Sequence, residues 1–280
     1  MMPSSSEGCE FVGGGSDALL LPALSSISSR DEMRPLAERL CDNFRCILCD
    51  WPGFGNRPRE CLDLKPDALL RFLDEFILAN VRAPAIGIGA GHAATYLVSA
   101  ARHHRGAFSH LVLIAPTWRG PLPTMLGDSR AGLRGAFRRA LEAPVIGEAL
   151  YWLNVSRPVV AAMMREHVYD ERRAVTRSVL EAKLAIVRQP RARFGTAAFI
   201  TGGLDPVASR TSFLDLFTDD LPPVLLLRPN GAPRKSAAEM DALAETARVQ
   251  VRRVPGALAA HEESPDDVAR AILEFVLAEG

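Results

Sequence analysis

The sequence lacks an excess of charge, a long apolar run and a secretory signal. Its 33 Lys and Arg balance 33 Asp and Glu, so the formal net charge is zero. A neutral chain does not attract nucleic acid through its overall charge, and we expect no nucleic-acid partner. No apolar run approaches the ~20 residues of a membrane span, and residues 1–8 lack a basic segment followed by an apolar one. We therefore expect no membrane span.

The cysteines are few and cannot all pair. There are 5 of them, all in the first quarter of the chain: Cys9, Cys41, Cys46, Cys49 and Cys61. An odd, clustered set favours free thiols in a reducing compartment over a disulfide framework. Cys46 and Cys49 have the spacing of a redox or zinc pair, but they lie in a strand-like run, where residues three apart point to opposite faces. We expect buried apolar cysteines and, because no metal-ligand spacing appears elsewhere, neither a metal nor a cofactor.

Short apolar strands alternate with amphipathic helices along most of the chain. This alternation predicts an α/β fold with a mostly parallel, doubly wound sheet. Predicted strands cover 18–21, 45–50, 84–88, 111–115, 223–227 and 248–254, and the clearest helices cover 91–101, 236–246 and 265–278.

Differences in composition and in the predicted secondary structure divide the chain into three parts. Residues 1–16 are rich in Ser and Gly and are predicted to be frayed. Residues 118–198 have several helical patterns and almost no strand pattern. We therefore predict a core of residues 17–117 and 199–280, with a helical lid insertion over 118–198 between its two halves.

The order of the motifs resembles the α/β-hydrolase superfamily over nearly the whole chain. The matching features are a buried strand before Pro22, the turn Asp50-x-Pro52-Gly53-x-Gly55, and a strand–turn–helix with the frame Gly87-x-Gly89-x-Gly91. The sequences of residues 22–25, 50–53 and 118–121 also resemble those of a divergent branch of this superfamily that occurs in photosynthetic microbes and plastids. That resemblance implies a cytoplasmic location, or the plastid stroma if a targeting peptide has been removed.

The resemblance also implies a catalytic triad, whose positions are degenerate here. In the family, G-x-S-x-G places a nucleophilic serine on a strained turn; in this frame the serine position is Gly89. The position of the acid holds Ala232, and that of the base holds Leu258 or Ala259. The oxyanion-loop pair is Pro22-Ala23, so the predicted pocket and oxyanion region comprises Pro22, Ala23, Leu24, Gly89 and Ala90.

Four polar residues are candidates for displaced catalytic roles. Asp205 lies in Gly202-Gly203-Leu204-Asp205-Pro206, which imitates the acid motif if residues 198–201 form the acid-bearing strand. His92 opens the helix after the elbow, and His261 lies in the loop that normally delivers the base. Ser25, with Ser26 beside it, follows the first buried strand. Each also has a structural interpretation, as a packed histidine, a turn residue or a helix cap.

Three functions follow from these observations. The first is a non-catalytic member that binds a small apolar ligand or a protein partner under the lid. The second is an active hydrolase or lyase on a small, apolar, ester-like substrate, which uses the displaced residues. The third is a nucleotide-binding oxidoreductase, because Gly89-x-Gly91-x-x-Ala94 matches the dinucleotide fingerprint. The next predicted strand ends without the acid that this fingerprint requires.

Overall fold

A seven-stranded sheet in the order β1-β3-β2-β4-β5-β6-β7 forms the centre of the molecule. The computed structural model describes residues 8–59, 64–127 and 131–278. All neighbouring strands pair in parallel except β1, which runs antiparallel to β3. The predicted α/β class and doubly wound sheet are therefore confirmed. The strands are β1 Cys9–Val12, β2 Ser16–Leu21, β3 Phe44–Cys49, β4 Ala85–Ala90, β5 Phe108–Ile114, β6 Val224–Pro229 and β7 Gln250–Val254.

Helices cover both faces of the sheet, which explains why its central strands are largely apolar runs, whereas the edge strands β1 and β7 contain charged residues. Alternate residues of β2 belong to different cores: Leu19 and Leu21 pack with helices α2, α3 and α11, whereas Ala18 and Leu20 pack with α1 and α13. The helices of this core are α1 Arg34–Leu40, α2 Pro66–Asn80, α3 Ala93–His103, α10 Arg210–Leu214, α11 Arg234–Ala244, α12 Ala260–Glu263 and α13 Pro265–Leu277.

Residues 118–198, which we call the helical segment, lie between β5 and β6. The helices are α4 Pro121–Leu126, α5 Ala131–Glu142, α6 Ile146–Asn154, α7 Arg157–Met163, α8 Arg177–Val187 and α9 Ala192–Ile200, with a π-helical turn over Met164–Val168. They enclose a third apolar cluster, which reaches the core through Ile27 and Ala259. In the described parts of the chain, no helix is long and apolar enough to cross a bilayer.

Two predicted boundaries are wrong. Residues 1–16 were expected to be frayed, but Cys9–Val12 forms β1 because it completes the edge of the sheet beside β3, and β2 already begins at Ser16. Residues 1–7 of that prediction lie outside the described residues. The end of the insertion at residue 198 falls inside α9, which continues to Ile200, so it is not a break in the fold.

The two cysteines of the C-x-x-C spacing lie on opposite faces of β3, as expected. Cys46 packs with the core cluster under α1 and α13, and Cys49 with the cluster under α2 and α3. Burial raises the pKa of Cys46 to about 12, and it also raises the pKa of Cys49. Both are inert buried thiols rather than a redox or zinc pair.

Candidate functional site

The candidate site lies where the strand order reverses. The chain places β3 on one side of β2 and then β4 on the other side. In open α/β sheets, ligands bind in the crevice outside the carboxyl ends of the strands at such a switch point. Pro22 and Ala23 follow the end of β2, and Gly91 follows the end of β4. The fold therefore brings the predicted oxyanion loop and the predicted elbow together.

The strained residue of the elbow is Gly91, not Gly89. Gly89 lies inside β4, where an added Cβ would stand 3.0 Å from the Ala94 Cα and 3.3 Å from a methyl group of Leu97. Gly91 has φ +52°, and an added Cβ would meet only the Ala23 Cβ among the described residues, at 3.4 Å. The turn therefore lies two residues beyond the predicted register, in the frame Gly89-x-Gly91-x-Ala93, which has alanine in place of the last glycine of the motif.

The structure places aliphatic residues at the predicted acid and base positions. Ala232 lies in the loop between β6 and α11, and Leu258 lies between β7 and α12. Both are partly buried against the apolar core cluster that contains Leu21. Their side chains carry no group that could take or orient a proton.

His92 and Asp205, two of the candidate residues, come together beside the elbow. His92 Nε2 lies 3.0 Å from the Leu204 carbonyl oxygen and 3.5 Å from Asp205 Oδ1. The hydroxyl of Tyr96 donates to the same carbonyl at 2.7 Å, and Asp205 Oδ1 accepts the backbone N–H of Gly120 at 2.8 Å. Residues 198–200 are helical, so Asp205 does not end an acid-bearing strand. Asp205 instead connects the chain that follows the helical segment to Gly120, near the start of that segment.

Burial sets the protonation of this pair. It lowers the pKa of His92 to about 4, although the contact with the Leu204 carbonyl opposes the shift. It raises the pKa of Asp205 to about 7, against the hydrogen bond from Gly120. His92 is therefore neutral at pH 7 and donates from Nε2 to Leu204. Its Nδ1 is a buried acceptor that has no hydrogen-bond partner among the described residues.

The oxyanion loop is held by a carboxylate of the chain itself. The backbone N–H of Ala23 donates to Glu32 Oε1 at 2.7 Å, and Glu32 is only 4% exposed. Its Oε2 lies 3.5 Å from Lys183 Nζ in the helical segment, and Oε1 lies 3.5 Å from His261 Nε2. Lys183 also donates to Glu262 at 2.8 Å. We call Glu32, Lys183, His261 and Glu262 the charged cluster.

The charges of this cluster stabilise one another. Burial alone would raise the pKa of Glu32, but Lys183 and then His261 lower it overall. Burial would lower the pKa of Lys183, but Glu262 and Glu32 raise it above its usual value. Ligand atoms of Glu32, His261 and Glu262 lie within 4.8 Å of one another, as in a metal site. The ammonium of Lys183 already supplies the cation that these carboxylates need.

The sequence reasoning singled out only His261 from this cluster. Glu32, Lys183 and Glu262 lie in three distant segments of the chain, and no local sequence signal could have brought them together. His261 is 1% exposed, and neither ring nitrogen has a hydrogen-bond partner among the described residues. Among the described residues, Ser25 forms no hydrogen bond with His92 or His261. Its hydroxyl group is hydrogen-bonded to that of Ser28 at 2.7 Å.

Comparisons with known proteins agree with this architecture. A model described as the alpha/beta hydrolase family matches residues 13–271. No functionally curated protein matches the chain. Among solved structures, a thermophilic esterase from Thermogutta terrifontis is 21% identical with a TM-score of 0.70, over 96% of this chain and 92% of that chain. A serine hydrolase from Cycloclasticus zankles is 12% identical with a TM-score of 0.73, over 99% and 97%. A meta-cleavage product hydrolase from Pseudomonas fluorescens is 15% identical with a TM-score of 0.69, over 97% and 94%. At these identities the likeness shows the fold alone.

Proposed function

Because this chain belongs to the alpha/beta hydrolase family, we propose that it is a non-hydrolytic member that binds a ligand at the switch point, with the helical segment as its lid. One observation carries the proposal: the residue on the strained turn after β4 is Gly91, which has no side chain. Covalent acyl transfer needs a nucleophile, a base and an orienting acid. The aliphatic residues Ala232 and Leu258 support the same conclusion for the acid and the base.

The proposed ligand is a small apolar molecule with one hydrogen-bond donor. The surroundings of Gly91 favour an apolar body, since a Cβ added at this position would meet only the methyl group of Ala23 within 4 Å among the described residues. The buried Nδ1 of His92, one residue further on, is an acceptor with no described partner. Buried polar atoms without a partner are rare and commonly mark a missing water or ligand. A hydroxyl group of the ligand would satisfy this atom. A protein partner in place of a small ligand would not need that donor.

A matched series of small molecules tests this proposal. We expect medium-chain alcohols and alkylphenols to raise the melting temperature of the protein, and the corresponding methyl ethers, which lack the donor, to raise it less. The difference should disappear in His92→Phe, which keeps an aromatic ring and removes the acceptor. Equal shifts for alcohols and ethers in both proteins would contradict the donor, and no shift with any of them would contradict a small ligand of this kind.

One observation favours an active enzyme as the second candidate. Glu32 Oε1 lies 3.5 Å from His261 Nε2, which is the arrangement of a carboxylate that orients a base. In this hypothesis His261 activates a displaced nucleophile such as Ser25 toward a small ester. Turnover of p-nitrophenyl acetate and butyrate that His261→Gln removes, and that His92→Phe keeps, would support it. We expect no turnover above the buffer rate in the wild-type protein.

No contact favours the nucleotide-binding alternative. The fingerprint Gly89-x-Gly91-x-x-Ala94 follows the fourth strand of the chain rather than the first, and Ala115 and Pro116 follow the end of β5 in place of an acid. We expect neither NAD nor NADP to shift the melting temperature. The cytoplasmic or plastid location that we propose rests on the sequence resemblance alone.

A further inference from the structure

The helical segment exposes far more apolar surface than the rest of the molecule. Among the described residues, 11 large hydrophobic side chains are exposed, and 8 of these belong to the helical segment. Exposed apolar side chains scattered singly are normal, but a concentrated group marks an interaction surface. The eight are Met125, Phe137, Val145, Ile146, Leu150, Trp152, Leu153 and Val159.

Helix α6 has apolar residues on a buried side and on a second, exposed side. Its inner side is buried through Gly147 and Tyr151. Residues three and four apart share a helix face, so Ile146, Leu150 and Leu153 form a stripe on the other side, where they are 66%, 39% and 70% exposed. A surface helix of a globular protein normally turns charged residues outward. The outer face of α6, which we define as Ile146, Leu150 and Leu153, therefore lacks a partner among the described residues.

The charge of the helical segment identifies the partner. The segment carries 14 Lys and Arg against 7 Asp and Glu, whereas the whole chain is neutral. A cavity of about 380 Å³ on its surface is lined by Arg157, Arg165 and Arg177 above an apolar base. Arg165 and Arg177 are exposed and form no ion pair within the described chain. The net charge of the whole chain is zero because the positive charge of the helical segment equals the negative charge of the remaining residues.

We propose that the helical segment docks onto an anionic lipid surface, with the outer face of α6 in the apolar boundary and the arginines among the headgroups. Exposed Leu, Ile and Trp in the same segment as exposed arginines are the composition of helices that lie in a membrane interface. A second copy of the chain fits less well, because a two-fold contact through this segment would bring like charges together. This inference does not depend on the ligand proposed above.

Vesicle sedimentation with the full chain tests the docking. We expect the protein to sediment with vesicles of phosphatidylcholine and phosphatidylglycerol, to remain in solution with phosphatidylcholine alone, and to dissociate at about 0.5 M salt, where charges are strongly screened. Replacing both Leu150 and Leu153 by Ser should lower the partition coefficient by about tenfold or more. The control is Leu78→Ser on α2, where the leucine is 74% exposed, close to the 70% of Leu153, and this variant should bind as the wild type does.

Three outcomes would overturn the proposal. Absence of binding to the anionic vesicles contradicts it directly. Equal loss of binding in the double variant and in Leu78→Ser would show that the outer face of α6 has no special role. Light scattering that finds a wild-type dimer, and a monomer for the Leu150→Ser, Leu153→Ser variant, would assign this face to a second copy.

Discussion

The elbow and the charged cluster lie side by side, but they differ in almost every chemical property. At the elbow, Gly91 carries no side chain, and a Cβ added there would lie 3.4 Å from the methyl group of Ala23. The backbone N–H of Ala23 donates a hydrogen bond to Glu32, which belongs to the buried charged cluster. Polar and charged side chains are therefore still present at this end of the sheet. The charged cluster connects the oxyanion loop, the helical segment and helix α12.

The difference teaches that burial alone does not identify an active site in this fold. A buried ion pair is costly unless each charge has its partners, and the members of the charged cluster have them through Lys183. Beside the cluster, Glu263 accepts the backbone N–H of Glu171 at 2.7 Å. These contacts hold the helical segment on the core, which is a structural role.

The largest expected effect is on the cluster side of this comparison. Replacing Lys183 by Met leaves Glu32 and Glu262 buried without their cation, and should lower the free energy of unfolding by about 3–5 kcal/mol. Urea denaturation at pH 7 measures it. Arg173→Met is the control, because Arg173 pairs with Glu171 on the exposed surface of the same segment, and we expect no measurable change. Equal stability of the two variants would show that the charged cluster does not hold the fold together.

An effect of intermediate size is expected from Asp205. Its pKa is raised from 3.8 to about 7 by burial, so the folded state binds the proton more tightly than the unfolded state. Its contribution to stability is complete below about pH 4 and is lost as the pH rises toward 7. Asp205→Asn keeps an acceptor for the Gly120 N–H and removes this loss. The variant should therefore gain, relative to the wild type, up to about 4 kcal/mol between pH 4 and pH 8.

Stability measured at both pH values gives the difference directly. His92 acts in the opposite direction, since its lowered pKa costs stability as the pH falls from about 6.5 to 4. Both proteins contain His92, so this term cancels in the comparison. Asp267→Asn, at a half-exposed carboxylate, is the control. A gain for Asp205→Asn that is the same at both pH values would contradict the buried, protonated carboxyl.

The smallest stability effects concern the register of the elbow. Gly89→Ser forces a Cβ against Ala94 and Leu97 and should cost about 1–3 kcal/mol. Gly91→Ser meets only ordinary contact and should cost about 1 kcal/mol for its positive φ. A more discriminating experiment adds the substitutions Ala232→Asp and Leu258→His to each of these two variants. We expect a fluorophosphonate probe to label the serine at position 91 in this background and not the serine at position 89. The reverse would restore the frame predicted from the sequence.

The fold could be predicted from the sequence because its signals are local. Apolar runs ended by turn residues gave six of the strands, and the resemblance gave their arrangement. Strand β1 was missed because Cys9–Val12 is short and half-exposed and is defined by its pairing with β3. The register of the elbow was missed because only the backbone conformation distinguishes Gly91 from Gly89.

The candidate site was less predictable because its contacts join distant parts of the chain. Nothing near Lys183 in the sequence indicates a buried ammonium between Glu32 and Glu262. The pairing of His92 with Asp205 likewise depends on how α9 returns to the core. The loss of the triad stays a prediction, which rests on the residue types at Ala232 and Leu258.

Activity-based labelling of the wild-type protein tests the central claim, that the elbow has no nucleophile, most directly. The folded chain is incubated with a fluorophosphonate probe, and its intact mass and tryptic peptides are measured. A protein without an activated serine should remain unmodified at every residue, while a catalytic serine hydrolase treated in parallel is labelled completely. A stoichiometric adduct on any serine of this chain, lost on heat denaturation before labelling, would contradict the account.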